Sequence, residues 1–188
     1  IPGNETALET VVSGKFAQFG LKYLQGTTPT PDDFSSAHNC LEQLGCQDLA
    51  SKRFSMLSQG ERQQLLIARA RMAAPMLLVL DEACAGMDPG VKAMFLAWLD
   101  QQLRTPKFPT TLLATHHIEE IVPGIRQALI LKSGKITCAG DKRTVLSPKN
   151  IESAYGATLS DLREHDGRFW PIWSSPGENA VSCDVEDF

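Results

Sequence analysis

Apolar positions near the start of the chain fall at helical spacing. Leu8, Val11, Val12, Phe16 and Phe19 line one side of a helix predicted over residues 6–20. The run Gly26-Thr27-Thr28-Pro29-Thr30-Pro31 is dense in turn formers and reads as a loop. Asp32 or Asp33 then caps a second helix ending near Leu44, with Gly45 suited to the C′ place. Together these segments make a small helical lobe, residues 1–56. A third helix over residues 61–73 offers Leu65, Leu66, Ile67 and Ala70 for packing, and Pro75 closes it. Residues 76–80 are continuously apolar, which predicts a parallel strand covered on both faces.

Asp88-Pro89 starts the next helix, with Asp as N-cap and Pro at N1. Val91, Met94, Phe95, Trp98, Leu99 and Leu103 carry its stripe as far as Thr105-Pro106. A strand over residues 110–115 completes a βαβ unit, whose crossover is right-handed by rule. Residues 128–131 and 136–139 read as a strand and its hairpin partner around Ser133-Gly134. A short helix over 145–155 and a last strand over 168–173 follow, and the polar, acidic stretch 174–188 reads as a frayed tail. The organisation is therefore a lobe (1–56), an α/β core (57–146), an extension (147–173) and the tail.

At 188 residues, 43% of them hydrophobic and 21% charged, the chain can bury a real core. A net charge of −4 gives no basic footprint, so nucleic acid is not an expected partner. Nor does it suit attachment to an anionic bilayer by charge alone. No apolar run nears the roughly 20 residues needed to span one, and the opening Ile1-Pro2-Gly3-Asn4-Glu5 is unlike a secretory leader. Cys40, Cys46, Cys84, Cys138 and Cys183 are odd in number and scattered, which reads as reduced cytosolic thiols and not as a disulfide frame or zinc site.

Four short motifs lie on these elements. Ser58-Gln59-Gly60-Glu61 is first of all a capping box, Ser58 and Glu61 each satisfying the other's backbone. The same turn presents bare N–H groups and the positive end of a helix to an anion. Leu80-Asp81-Glu82 ends the apolar strand. Such a pair can be two solvated carboxylates, but the carboxyl end of a parallel strand opens on the ligand crevice of an α/β sheet. There Asp81 could hold Mg²⁺ through its water shell, and Glu82 could polarise an attacking water. Adjacent carboxylates are costly without a cation, which itself points to a metal. Gly86-Met87-Asp88 leads into the fourth helix, where Asp88 is a sound N-cap whatever else it does. His116 ends the second core strand and should emerge at the same sheet edge as Asp81 and Glu82, while His117 points the other way and reads as structural.

Leu57 to Glu61, Leu77 to Glu82, Gly86 to Asp88 and Thr115-His116, in that order, resemble the signature loop, Walker B strand, D-loop and switch histidine of the ATP-binding cassette (ABC) ATPases. Ser58 and Asp81 lie 23 positions apart (81 − 58) and Asp81 and His116 lie 35 apart (116 − 81), as in transporter-type cassettes. The resemblance covers about residues 5–146. Residues 9–14 and 115–125 look most like soluble cassettes of the molybdate type. It implies a P-loop NTPase-like fold with a parallel sheet, helices on both faces and a helical lobe. It also implies ATP and Mg²⁺ as cofactors, with Glu82 and His116 catalytic and Asp81 on the metal. Ser58, Gln59, Gly60 and Glu61 would then touch the γ-phosphate of ATP bound to a second, head-to-tail cassette, with Asp88 at the seam. Gln59 stands where the signature more often has Gly, Glu61 where Gln is common, and Met87 where Leu is usual.

No G-x-x-x-x-G-K-[ST] loop occurs in the chain. Gly14-Lys15 and Gly134-Lys135 lack the upstream Gly and are followed by Phe16 and Ile136, so neither supplies the Mg²⁺ hydroxyl. The family's Walker A loop, adenine-stacking aromatic and Q-loop would lie upstream, which makes a truncated copy the expectation. Two functions follow. One is the ATP-hydrolysing subunit of an ABC system, cytoplasmic and joined to a membrane through a permease, these residues alone being inactive. The other is a dead interaction module that lends its signature loop to an intact cassette. A dinucleotide-binding enzyme fails for want of G-x-G-x-x-G after a strand.

Overall fold

Helix starts are set by capping boxes. In a computed structural model that describes residues 4–18, 21 and 28–175, Thr6 caps α1 (Ala7–Ser13), accepting from Glu9 N while the Glu9 carboxylate accepts from Thr6 N. Thr30 does the same for α2 (Pro31–Gln43), with Pro31 in the first turn and Asp33 as the reciprocal carboxylate. The cap is thus Thr30, and neither Asp32 nor Asp33. With two acidic residues adjacent, the one three positions past a threonine is claimed by the box. Ser58 caps α3 (Gln59–Met72), and Asp88 caps α4 (Pro89–Leu103).

The first helix is shorter than its apolar stripe predicts. It ends at Ser13, a 3₁₀ turn spans Gly14–Phe16, and Ala17 turns left-handed at φ 52°. The predicted positions Phe19 and Gly20 lie outside the described residues. Gly14 is needed at this exit, because a β-carbon there would stand 2.1 Å from the Arg69 carbonyl oxygen of α3. The Arg69 guanidinium then donates to Ser13 Oγ and the Gln18 carbonyl, tying the turn down. α2 ends as expected, with Gly45 at φ +67° beyond it.

Helices α1, α2 and α3 pack on one another. Val11, Val12, Ala37, Leu41, Leu65 and Ala68 are fully buried among them. Burying each larger side chain is worth roughly 1.5–3 kcal/mol. Leu66 turns out to face solvent. β1 (Leu77–Asp81) pairs in parallel with β2 (Thr110–Ala114), Asp81 opposite Ala114. Alternate residues Leu78 and Leu80 are buried, while Leu77 is 55% and Val79 56% exposed. The continuous apolar run predicts cover on both faces; among the described residues only one face has it.

These elements belong to one compact unit, which reaches His116. A second unit begins at His117, so the division falls inside the stretch read as one core. There β3 (Gln127–Lys132) and β4 (Lys135–Asp141) form an antiparallel hairpin. Ser133 (φ 50°) and Gly134 (φ 74°) make the two-residue positive-φ turn that matches strand twist. The predicted helix over 145–155 is two helices, α5 (Lys142–Val145) and α6 (Pro148–Tyr155). Pro148 cannot sit mid-helix and starts a new one after Ser147. β5 (Leu159–His165) pairs with β6 (Arg168–Trp173). Ile118, Leu146, Ile151 and Phe169 form the core of this unit, flanked by Ile121, Leu159 and Leu162. Of the expected tail, residues 176–188 lie outside the described residues.

The four described cysteines are free thiols. No helix among the described residues is long and apolar enough to cross a membrane.

Candidate functional site

The end of β1 is where the chain departs from regular geometry. Asp81 continues the exposed alternation of Leu77 and Val79, so its carboxylate lies on the open side of the strand. Among the described residues it bonds to no side chain. Glu82 comes next with φ 47°, a left-handed conformation that a non-glycine residue adopts at a cost of roughly 1–2 kcal/mol. Its N–H still donates to the Ala114 carbonyl at 2.9 Å, prolonging the ladder by one rung before the chain turns away.

That turn carries the Glu82 carboxylate across to the end of β2. Glu82 Oε1 lies 2.7 Å from His116 Nδ1 and accepts from the His116 backbone N–H at 3.2 Å. The His116 and Glu82 side chains are 68% and 39% exposed, so the pair contributes at most about 1 kcal/mol to stability. A side-chain-bearing residue held left-handed at the carboxyl end of a strand is the kind of backbone outlier that raises a hypothesis of function. His117 turns elsewhere, its Nδ1 3.1 Å from Glu119 Oε1.

The turn at Ser58 is a complete capping box: Ser58 N donates to Glu61 Oε2 at 2.8 Å and Glu61 N donates to Ser58 Oγ at 3.3 Å. Lys52 adds a contact to Glu61 Oε1 at 3.0 Å. The Ser58 backbone N–H first, and the Lys52 ammonium after it, hold the Glu61 carboxyl below the ordinary carboxylate range. The sequence carries no signal for Lys52 in this role, since nothing periodic links it to a residue nine positions on. Arg62 stiffens the approach to the turn, donating to the Ser55 carbonyl at 3.0 Å with its guanidinium 5.6 Å from the Phe54 ring centre.

Ser58, Gln59 and Glu61 remain at or near the surface, while Gly60 is buried. A β-carbon on Gly60 would lie 2.9 Å from the Gly86 carbonyl oxygen and 3.1 Å from Met87 Cα. Gly86, at φ +74°, has the Gln59 side chain lying directly over it. The signature-like turn and the Gly86-Met87-Asp88 loop are therefore in contact. Asp88 Oδ1 meanwhile accepts from Gly90 N and Val91 N, each at 3.0 Å, which is the capping role read from the sequence.

The donor set suits Mg²⁺. Asp81 offers an exposed hard oxygen beside the Glu82 carboxylate. Mg²⁺ is ordinarily bound by one or two carboxylates, with phosphate oxygens and water completing its shell.

The profile of the ABC transporter family matches residues 4–85. An ABC transporter ATP-binding protein of Streptococcus mutans is 33% identical over 170 residues, 90% of this chain and 64% of that protein. In sequence and in fold the chain is similar to the ATP-binding proteins of ABC transporters. The chain is also 34% identical over 165 residues to the ABC transporter ATP-binding protein YlmA of Bacillus subtilis, 88% of the chain and 61% of the relative. It is 33% identical over 139 residues to the molybdenum import ATP-binding protein ModC of Albidiferax ferrireducens, covering 74% of the chain and 37% of the relative.

An inward-facing metal-chelate type ABC transporter superposes on the chain with a TM-score of 0.75 at 22% identity, over 93% of this chain and 67% of that one. An ATP-binding cassette in its ADP conformation gives 0.66 at 23% identity, over 81% and 63%. Likeness at this identity speaks for the fold, which is the α/β P-loop NTPase cassette. The chain spans 64% and 61% of the length of the first two relatives.

Proposed function

We propose that these residues form the water-activating half of an ABC ATPase site and present a signature turn to a second cassette. The observation that carries the reading is the 2.7 Å contact between Glu82 Oε1 and His116 Nδ1 at the carboxyl ends of two paired parallel strands. A carboxylate and an imidazole held in this way can share a proton and orient a water between themselves and a phosphoryl group. Asp81, beside them on the open side of β1, is the residue that would hold Mg²⁺, and the ion when bound would neutralise charge on the phosphates. The Ser58 cap leaves the α3 N-terminus near the surface, where its N–H groups and dipole favour an anion. That anion would be the terminal phosphate of ATP bound to the partner cassette. Coupling to a membrane permease is part of the proposal, and it rests on the likeness to ABC transporter ATP-binding proteins.

The phosphate-cradling loop is not among these 188 residues, which keeps a second reading in play: a module that lends its signature turn to an intact cassette without turning over ATP itself. Two measurements decide. In the complete ATPase, Glu82→Gln is expected to retain ATP binding and to abolish hydrolysis, and undiminished hydrolysis would remove Glu82 from its role. Tight Mg-ATP binding by the isolated 188-residue chain would contradict the second reading.

A further inference from the structure

A turn that is to receive a phosphate carries, in this chain, a carboxylate. Glu61 Oε2 accepts from Ser58 N at 2.8 Å, which sets the acid inside the turn that opens α3. Its carboxyl is held below the ordinary range, so it is ionised at neutral pH. A phosphate brought to the same helix N-terminus meets that charge at close range, and like charges so placed repel. The amide oxygen of a glutamine could take the Ser58 N–H bond equally well without adding a charge.

A compensating cation arrives from another segment. Lys52 Nζ lies 3.0 Å from Glu61 Oε1, the oxygen that the Ser58 N–H leaves open. Among the described residues no other cation pairs with this carboxylate. Lys52 does not hang from a loose loop. Its carbonyl accepts from Ala7 N at 2.8 Å, and its N–H donates to the Leu49 carbonyl at 2.9 Å. Arg53 bridges to Thr6, and Phe54 N donates to the Glu5 carbonyl at 2.9 Å. Residues 52–54 are thereby laid along the start of α1, which itself packs on α3. Stability does not account for the pair. The Lys52 and Glu61 side chains are 50% and 28% exposed, and ion pairs so exposed contribute little. The cap is closed by the Ser58 hydroxyl and N–H without Lys52. What Lys52 changes is the charge the turn shows to an arriving anion.

We propose that Lys52 is a positioning residue for the nucleotide, neutralising Glu61 so that the Ser58 turn accepts the terminal phosphate of ATP held by the partner cassette. This rests on the signature role proposed for that turn. Lys52 acts through Glu61 and touches neither the attacking water nor the Glu82–His116 pair. Its loss therefore weakens capture of ATP and leaves turnover of the captured complex nearly unchanged.

The test uses the complete ATPase with Lys52→Met, Lys52→Arg, Glu61→Gln, Lys52→Met combined with Glu61→Gln, and Ser58→Arg. It reads kcat and KM for ATP at low salt and at about 0.5 M salt. Expected for Lys52→Met at low salt is a KM about threefold to fivefold higher, with kcat within about twofold of wild type. Lys52→Arg should stay within about twofold on both, since the guanidinium carries the same charge. In the Glu61→Gln background Lys52→Met should shift KM by less than about twofold, because no carboxylate is left to neutralise. High salt should narrow the gap between Lys52→Met and wild type. Should Lys52→Met not accumulate as folded protein, Lys52→Gln takes its place at this half-exposed position. A wild-type KM for Lys52→Met, while Ser58→Arg impairs turnover, overturns the role of Lys52 and leaves the signature reading standing. An equal rise in KM in the Glu61→Gln background, or a rise that salt does not touch, also overturns it. Ser58→Arg with undiminished kcat/KM overturns the signature reading and this inference with it.

Discussion

Glu82 allows the link between strain and function to be measured. Its φ of 47° lies in the left-handed region, which costs a side-chain-bearing residue roughly 1–2 kcal/mol and glycine almost nothing. Glu82→Ala and Glu82→Gly both delete the contact to His116, so that contact cancels when the two variants are compared. Glycine's greater freedom in the unfolded chain works against it by about 0.5–1 kcal/mol. The difference leaves Glu82→Gly more stable than Glu82→Ala by about 0.5–1 kcal/mol, the reverse of the usual order at strand and helix positions. For a chain of 188 residues this is a Tm gap of about 1–4 °C, measurable by thermal scanning and by urea unfolding. Since the exposed Glu82–His116 pair contributes at most about 1 kcal/mol, Glu82→Gly should also lie within about that margin of the parent protein. An alanine variant more stable than the glycine variant by about 0.5–1 kcal/mol, glycine's unfolded-state penalty alone, would show that the turn carries no strain, and the argument that function holds Glu82 there would fall.

Other expectations concern the loops around this position. Glu61 has its carboxyl held down by the Ser58 N–H and Lys52, so its contribution is full above the ordinary value of 4.5 and is lost as pH falls through the lower folded value. Glu61→Gln should therefore flatten the acid limb of stability against pH, and an identical acid slope in the two proteins counts against the cap as described. Asp88→Ala should cost about 1 kcal/mol through loss of the α4 cap, with Asp88→Asn nearly neutral; equal losses in chemical denaturation would refute the capping role. Gly14→Ala places a β-carbon 2.1 Å from the Arg69 carbonyl oxygen. Backbone must move to admit it, at about 1–3 kcal/mol, and an unshifted Tm would contradict the packing of α1 on α3.

Local chemistry was legible in the sequence wherever one residue's neighbours decide its conformation. The Ser58–Glu61 box, the Asp88-Pro89 start, the Gly45 stop and the Ser133-Gly134 turn all stand where the residues imply. The α2 cap escaped because Thr30 and two aspartates compete within four positions, and reach to the N3 backbone settles it. β5 escaped for another reason: Leu159–His165 reads as charged and unpatterned, and its strand character comes from pairing with the apolar β6. The Asp166-Gly167 dipeptide between them, both at positive φ, was the one signal that could have revealed the hairpin. At the site, the sequence places Glu82 and His116 on neighbouring strand ends. The left-handed turn that brings them into contact is a tertiary outcome with no local signature.

Gln59 over Gly86 and Gly60 against the Gly86 carbonyl leave no slack between the signature turn and the loop after β1. Neither loop can therefore take on bulk by itself. A side chain at Gly60 must displace Gly86 and Met87, and one at Gly86 must displace Gln59.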